Sequence, residues 1–336
     1  MTKKTIGWGL IGTGRIAEDR MLPGINAFKQ NKLIGVVSRD PARAQDFAKR
    51  FGAQHAYTNF DDLLRNPDVD AVAIHTPNSL HCEEVLAAAR AGKHVFCDKP
   101  MATTVADAER MVAACEKAGV TLGMNFHNRS MPGFIEAKRV VGSGEIGEVT
   151  VVELEASPGY RPGGTLSNWR VDPVMSGLGT TMSIGVHVYD ILRYILSAEV
   201  EMVSSFFDTP RNVMEQTNMS TLRFTNGAIA LVNVNEKSPL PYNDFVIHGT
   251  KGRITGKGLT RSRAGGVFEV ATTDGKTRSQ EFPAINAHAA CIGAFSQALL
   301  DGKPFSPSGI DGLRSMQLTE AMAKSAWDGV HVRLAS

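Results

Sequence analysis

Residues 5–17 read Thr5-Ile6-Gly7-Trp8-Gly9-Leu10-Ile11-Gly12-Thr13-Gly14-Arg15-Ile16-Ala17. An apolar run closes in Gly12-Thr13-Gly14-Arg15-Ile16-Ala17, which fits G-x-G-x-x-G/A between a strand-like run and a helical pattern. Gly12 suits the tight turn out of the strand, Gly14 lets the backbone approach a pyrophosphate, and Ala17 lets the helix pack closely on the strand. The helix starts here, so its unpaired N–H groups and positive dipole end face the phosphates. The expectation is a dinucleotide-binding turn formed by Gly12, Thr13, Gly14, Arg15 and Ile16. A glycine-rich turn in an unrelated α/β protein is the competing reading.

The second strand-like run, 33–37, bears on which dinucleotide. An NAD binder usually carries Asp or Glu about 20 residues after the glycines, to bind the ribose 2′-OH. Here the run ends in Ser38-Arg39, with Arg43 one turn on. A hydroxyl and a guanidinium suit a 2′-phosphate, which favours NADP over NAD. Asp40 precedes Pro41 and reads as a helix cap.

The 336 residues are enough for two domains, and 43% hydrophobic and 21% charged residues are ordinary for a globular chain. A net charge of +2 argues against a broad nucleic-acid footprint, and no apolar stretch approaches membrane-spanning length. The start, Met1-Thr2-Lys3-Lys4, leads straight into the first strand and leaves no room for a signal peptide. Cys82, Cys97, Cys115 and Cys291 show no metal-ligand spacing and read as reduced thiols of a cytoplasmic protein. The nine histidines form no cluster at metal-ligand spacing, so no metal is expected.

Strand-like runs at 6–11, 33–37, 71–75, 94–97 and 121–124 alternate with helical patterns at 15–28, 42–51, 60–65, 80–91 and 105–118. Alternation predicts a doubly wound parallel sheet of Rossmann type, with ligands beyond the carboxyl ends of the strands. The rhythm changes after a helix at roughly 132–142. A strand-like run at 149–156, a Gly/Pro-rich loop at 157–179 and a helix at 184–196 follow. Two hairpins then turn on Asn226-Gly227 and Asp274-Gly275, and helices at about 287–301 and 309–327 end the chain. The expected architecture is a Rossmann-type domain, 1–125, and an α+β domain with a largely antiparallel sheet, 126–336. Apolar residues on both faces of that sheet, as at Ile229, Leu231 and Val232, predict a homodimer or homotetramer.

Cys97-Asp98-Lys99-Pro100, after the 94–97 run, resembles the E-K-P signature of the Gfo/Idh/MocA oxidoreductases. The resemblance runs through 8–17, Asp68-Val69-Asp70-Ala71-Val72, Ala91-Gly92-Lys93-His94-Val95, Trp169-Arg170, Gly185-Val186-His187 and the closing helices. It implies a nicotinamide-dependent enzyme acting on a sugar, sugar derivative or polyol, with Gly12, Gly14, Ser38, Arg39 and Arg43 on the cofactor. It also implies that the Thr76-Pro77-Asn78 turn, His81, Asp98, Lys99 and Asn125 line the same cleft. Two departures stand out. Asp98 replaces the usual Glu, and Ser183-Ile184-Gly185-Val186-His187 replaces D-x-G-x-H, losing a carboxylate four residues before the histidine.

Hydride chemistry belongs to the cofactor, and the protein must position the reacting carbon and manage the hydroxyl proton. Imidazole titrates near neutral pH, which makes His187 the candidate acid–base group. Lys99, at a strand end, is the electrostatic partner and proton relay, the two roles being exchangeable. Asp190 is a candidate orienter of His187, or else a helix-surface acid. Trp169 and Arg170 are expected over the nicotinamide, and Tyr160, Arg170 and Ser183 near substrate. Asn125, His127 and Arg129 follow a strand end, with Asn125 the cofactor-amide contact, whereas His75 reads as structural. Cys97 is read as a buried strand residue rather than a nucleophile. An NAD-dependent inositol, polyol or dihydrodiol dehydrogenase is the nearest alternative. A non-catalytic dinucleotide-binding regulator is the alternative of another class.

Overall fold

The computed structural model describes residues 4–159, 168–261 and 265–334. They fall into two compact units, Met1–His127 with Asn286–Arg314 and Asn128–Ile285 with Ser315–Ser336. No helix among the described residues is long and apolar enough to cross a membrane.

In the first unit the described strands are β1 (Ile6–Ile11), β2 (Asn31–Val37), β3 (His55–Tyr57), β4 (Ala71–Ile74), β5 (His94–Cys97) and β6 (Leu122–Met124). They form a parallel sheet in the order β3-β2-β1-β4-β5-β6. Every residue of β1 and β4 is buried, as expected of strands covered on both faces. The strand order reverses between β1 and β4, and ligands of such sheets bind at that switch point. The sequence patterns miss only β3, a three-residue strand too short to show a period.

One assignment changes. The helix Ala287–Asp301, expected in the 126–336 domain, packs on the first unit. The reason is aromatic. Phe295 lies 5.7 Å from Trp8 and 5.3 Å from Phe96, and Phe305 lies 5.0 Å from Phe295. These rings join Leu10, Met21 and Ile25 in one core cluster. Gly24 permits the close approach of the 22–27 helix, since a methyl there would stand 2.9 Å from the Ala289 backbone.

In the second unit the described strands are β7 (Val149–Ala156), β8 (Val200–Phe207), β9 (Thr217–Phe224), β10 (Ile229–Asn235), β11 (Phe245–Gly249), β12 (Gly252–Lys257), β13 (Gly266–Thr272), β14 (Thr277–Phe282) and β15 (Val332–Arg333). Their order is β14-β13-β12-β11-β7-β10-β9-β8-β15, antiparallel except for β7 with β10. Both expected hairpins form, with Gly227 and Gly275 at φ +88° and +85°. The β11–β12 hairpin turns on Gly249-Thr250-Lys251-Gly252, which carries no Asn-Gly or Asp-Gly signal and escapes sequence reading. Burial alternates along β9 and β10, so one sheet face is covered and the other carries exposed Val151, Phe206, Met219, Ile229 and Leu231.

Candidate active site

The first unit holds two groups of candidate residues. In the first group Gly12 takes φ +93°, and a methyl there would lie 2.5 Å from His75 O at the end of β4. A side chain is therefore excluded by conformation and by the neighbouring strand. Beyond Gly14's own stretch of chain, no atom among the described residues lies within 4 Å of where its methyl would stand. No contact among the described residues needs that glycine to be bare, and the open space lies at the start of the 15–27 helix, whose first N–H groups lack helical partners. This cradle fits a pyrophosphate. Thr13 is buried and its Oγ1 donates to Ser38 Oγ at 3.2 Å. Arg43 Nε donates to Thr13 O and Thr13 Oγ1, each at 3.0 Å, while its guanidinium lies 5.0 Å from the Phe47 ring centre. Ser38 also accepts from Asp40 N, and Asp40 caps the Pro41–Phe51 helix by accepting from Ala42 N and Arg43 N. Arg39 is exposed beside this group. Arg15 is exposed and pairs loosely with Asp19, and Ile16 packs against the core.

The second group stands at the ends of β4, β5 and β6. Asp98 Oδ1 accepts from Lys99 N at 2.9 Å and Asn125 Nδ2 at 3.1 Å, and Oδ2 lies 3.1 Å from His75 Nδ1. Burial pushes the Asp98 carboxyl up, but the neighbouring His75 and Lys99 outweigh it and hold the group well below the usual range. Asp98 thus stands ionised under Lys99. His75 becomes its partner because Ile74 pairs with Cys97 in the parallel ladder, which sets residues 75 and 98 side by side. Asn125 Oδ1 lies 3.2 Å from His288 Nδ1, and the His288 ring stacks on His127 at 3.7 Å. Burial holds His288 well below the normal imidazole range. No sequence pattern marks His288, which arrives on the Ala287–Asp301 helix.

Around the Thr76-Pro77-Asn78 turn, Thr76 Oγ1 donates to Glu84 Oε2 at 2.5 Å. Burial raises the Glu84 carboxyl to about 7. Asn78 is buried and opens the short turn Asn78–Leu80. His81 was expected against cofactor, but it is fully buried and both ring nitrogens face main-chain carbonyls, Pro100 O at 3.0 Å and Thr76 O at 3.1 Å. It ties two loops together and presents no surface to a ligand. Cys97 is likewise fully buried, and burial lifts its thiol well above the usual range.

The second unit carries Ser183 and His187. The chain enters their helix through a π turn, Thr181–Gly185, and continues as Val186–Leu196. Such turns recur at functional sites. Gly185 is required here because a methyl would meet Tyr189 Oη at 2.5 Å. Glu215, buried, accepts from Gly179 N and Thr181 N, and Asn218 Nδ2 donates to Thr181 Oγ1 and Tyr189 Oη. Ser183 Oγ donates to Glu236 Oε1 at 3.0 Å. His187 is buried at 8% exposure. Asp190 is no surface acid. It is fully buried and receives a two-pronged bond from Arg129, 2.9 Å to Nε and 2.6 Å to Nη2. The Arg170 guanidinium lies 4.4 Å from the Trp169 ring centre, with Arg170 exposed. Tyr160 lies outside the described residues. No group of three or more potential metal ligands occurs among the described residues.

A doubly wound parallel sheet with a glycine cradle at its switch point, and the charged pair Asp98 and Lys99 at the neighbouring strand ends, defines a dinucleotide-dependent α/β protein. Residues 6–126 match the NAD-binding Rossmann-fold model of the GFO/IDH/MocA oxidoreductase family, and residues 134–255 match the family's C-terminal domain. The chain belongs to this family of nicotinamide-dependent sugar and polyol oxidoreductases. It is 31% identical to a 1,5-anhydro-D-fructose reductase from Ensifer adhaerens over 96% of both chains. It resembles a levoglucosan dehydrogenase solved with NADH and L-sorbose, with TM-score 0.90 and 25% identity over 99% of this chain and 100% of that one. It also resembles a 3-ketoreductase from Actinomadura kijaniata solved with NADP and TDP-benzene, with TM-score 0.84 and 28% identity over 96% and 98% of the two chains.

Proposed function

We propose that the protein is a cytoplasmic NADP(H)-dependent enzyme that interconverts a secondary alcohol and a carbonyl on a sugar, sugar derivative or polyol. The bound dinucleotide supplies the hydride at nicotinamide C4. The observation that carries the choice of NADP is at the end of β2. Ser38 and Arg39 stand where a ribose-binding acid is usual, and the adjacent carboxylate, Asp40, is turned onto its own helix. Arg39 is open to take a 2′-phosphate, with Ser38 and Arg43 beside it. The NADH in the levoglucosan dehydrogenase favours the competing reading, an NAD-dependent polyol dehydrogenase.

Lys99 presents its ammonium to the substrate oxygen and stabilises negative charge there, and Asp98, ionised and thrice bonded, holds the Lys99 main chain. His187 gives or takes the hydroxyl proton. Asn125 contacts the cofactor amide, while Trp169 and Arg170 cover the nicotinamide side. The four buried thiols support a reducing compartment. The exposed apolar face of β7–β10 supports self-association as a dimer or tetramer.

Fluorescence titration with NADPH and NADH tests the cofactor. Arg39→Ala is expected to raise the NADPH Kd by about tenfold or more and leave NADH within about twofold. Equal losses for both would overturn the assignment. His187→Asn is expected to lower kcat by about 10²-fold with NADPH affinity unchanged.

A further inference from the structure

Position 183 is where the resemblance expects a carboxylate, and the chain carries a serine. Negative charge is nevertheless at hand, since Ser183 Oγ donates to Glu236 Oε1 at 3.0 Å. Glu236 follows β10 directly. Its N–H donates to Gln216 O at 2.8 Å and extends the ladder by one residue. Side chains alternate along a strand, so Glu236 shares the covered sheet face with Ala230, Val232 and Val234, where β10 packs against Thr181–Gly185. Glu236 is 7% exposed. Its neighbour Lys237 turns instead to Asp208, at 2.5 Å.

Three residues in or beside β9 and β10 meet this helix start, and they do so differently. Glu215 takes two main-chain N–H groups and Asn218 bridges Thr181 and Tyr189, which pins the turn. Glu236 reaches a side-chain hydroxyl. A serine has one proton and two lone pairs, and with the proton on a carboxylate its oxygen is a strengthened acceptor. Ser183 lies four residues before His187 and shares a helix face with it.

We propose that Glu236 is a positioning residue of the substrate site and acts through Ser183. The Ser183 oxygen accepts a hydrogen bond from a substrate hydroxyl, and the pair selects polyhydroxylated molecules over isolated alcohols and carbonyls. The inference rests on the proposed sugar or polyol activity.

The test is binding, read without turnover. Saturation-transfer NMR and calorimetry with D-xylose, myo-inositol and 1,5-anhydro-D-glucitol would be run on the NADPH-loaded protein, in which an alcohol finds no hydride acceptor, and on Glu236→Gln, Ser183→Ala and the double variant Ser183→Asp/Glu236→Gln. Each single variant is expected to weaken the polyol that binds by about tenfold or more. The double variant moves the carboxylate onto the helix and is expected to return the affinity to within about threefold of the original. Thermal midpoints and NADPH affinity should stay unchanged, because Glu215 and Asn218 still hold the turn. Unchanged polyol affinity in Glu236→Gln overturns the inference, as does a double variant no better than Glu236→Gln. Binding of none of the three polyols also overturns it, while NADPH binding would leave the dinucleotide assignment standing. Polyol binding that depends on Glu236 without any turnover would sustain the inference and sink the proposed activity.

Discussion

The helix over 15–27 and the helix over 181–196 open alike and are held differently. Each carries a π turn near its start, Ala17–Met21 in the first and Thr181–Gly185 in the second. In the first, Pro23 lacks an N–H and its ring would crowd the carbonyl four residues back, which a wider turn relieves. That helix is approached by a main-chain turn whose shape needs glycine. The second is gripped by side chains from in and just before β9, Glu215 at 34 residues and Asn218 at 37 residues from Thr181. A site made of backbone leaves a regular trace along the chain, because few residue types tolerate its geometry. A site made of borrowed side chains leaves almost none.

The contrast predicts that the second unit depends on single side chains. Asp190→Ala removes the two-pronged partner of the buried Arg129 guanidinium and is expected to cost about 3–5 kcal/mol of unfolding free energy. Urea denaturation measures it, and a loss under about 1 kcal/mol, the level of a surface pair, would break the contrast.

A smaller effect sharpens it from the first unit. The folded chain holds the Glu84 proton more tightly than the unfolded chain, because burial raises that carboxyl to about 7. Stability from this group is therefore full below the ordinary carboxyl range and is lost as pH rises towards 7. Glu84→Gln should remove the decline between about pH 5 and pH 7, worth up to about 3 kcal/mol. Parallel stability curves for the two proteins would show that Glu84 titrates normally beneath Thr76.

The smallest effect on the fold separates the two glycines. Gly12→Ala forces a side chain into φ +93° and against His75 O, and is expected to cost about 1–3 kcal/mol. Gly14→Ala meets no neighbour and should leave the thermal midpoint unchanged, while dinucleotide affinity falls about tenfold because the methyl occupies the phosphate approach. A Gly14→Ala protein that binds NADPH normally would mean the cradle is not where the pyrophosphate lies.

Legibility follows the same division. The strand–helix alternation, the Gly12–Gly14 turn, the Asp40 cap and both glycine hairpins stand in local patterns, and the structure has them where those patterns point. His81 shows the limit, since a histidine after a ligand-facing turn reads as lining and is instead consumed by two carbonyls. The His75–Asp98 pair was readable in principle, because parallel register sets the two strand ends side by side. His288 and Glu236 were not, having no neighbour in sequence that shares their role.

The sequence by itself determined the parallel sheet, the glycine turn after β1 and the family, because periodicity, glycine geometry and short motifs act within one or two turns of chain. Only the tertiary structure decided that the Ala287–Asp301 helix joins the first unit, that Arg129 takes Asp190, and that Glu236 stands beside Ser183. Those outcomes depend on which side chains meet when distant segments pack. Packing selects by shape and charge across the core, and that selection leaves no period along the chain.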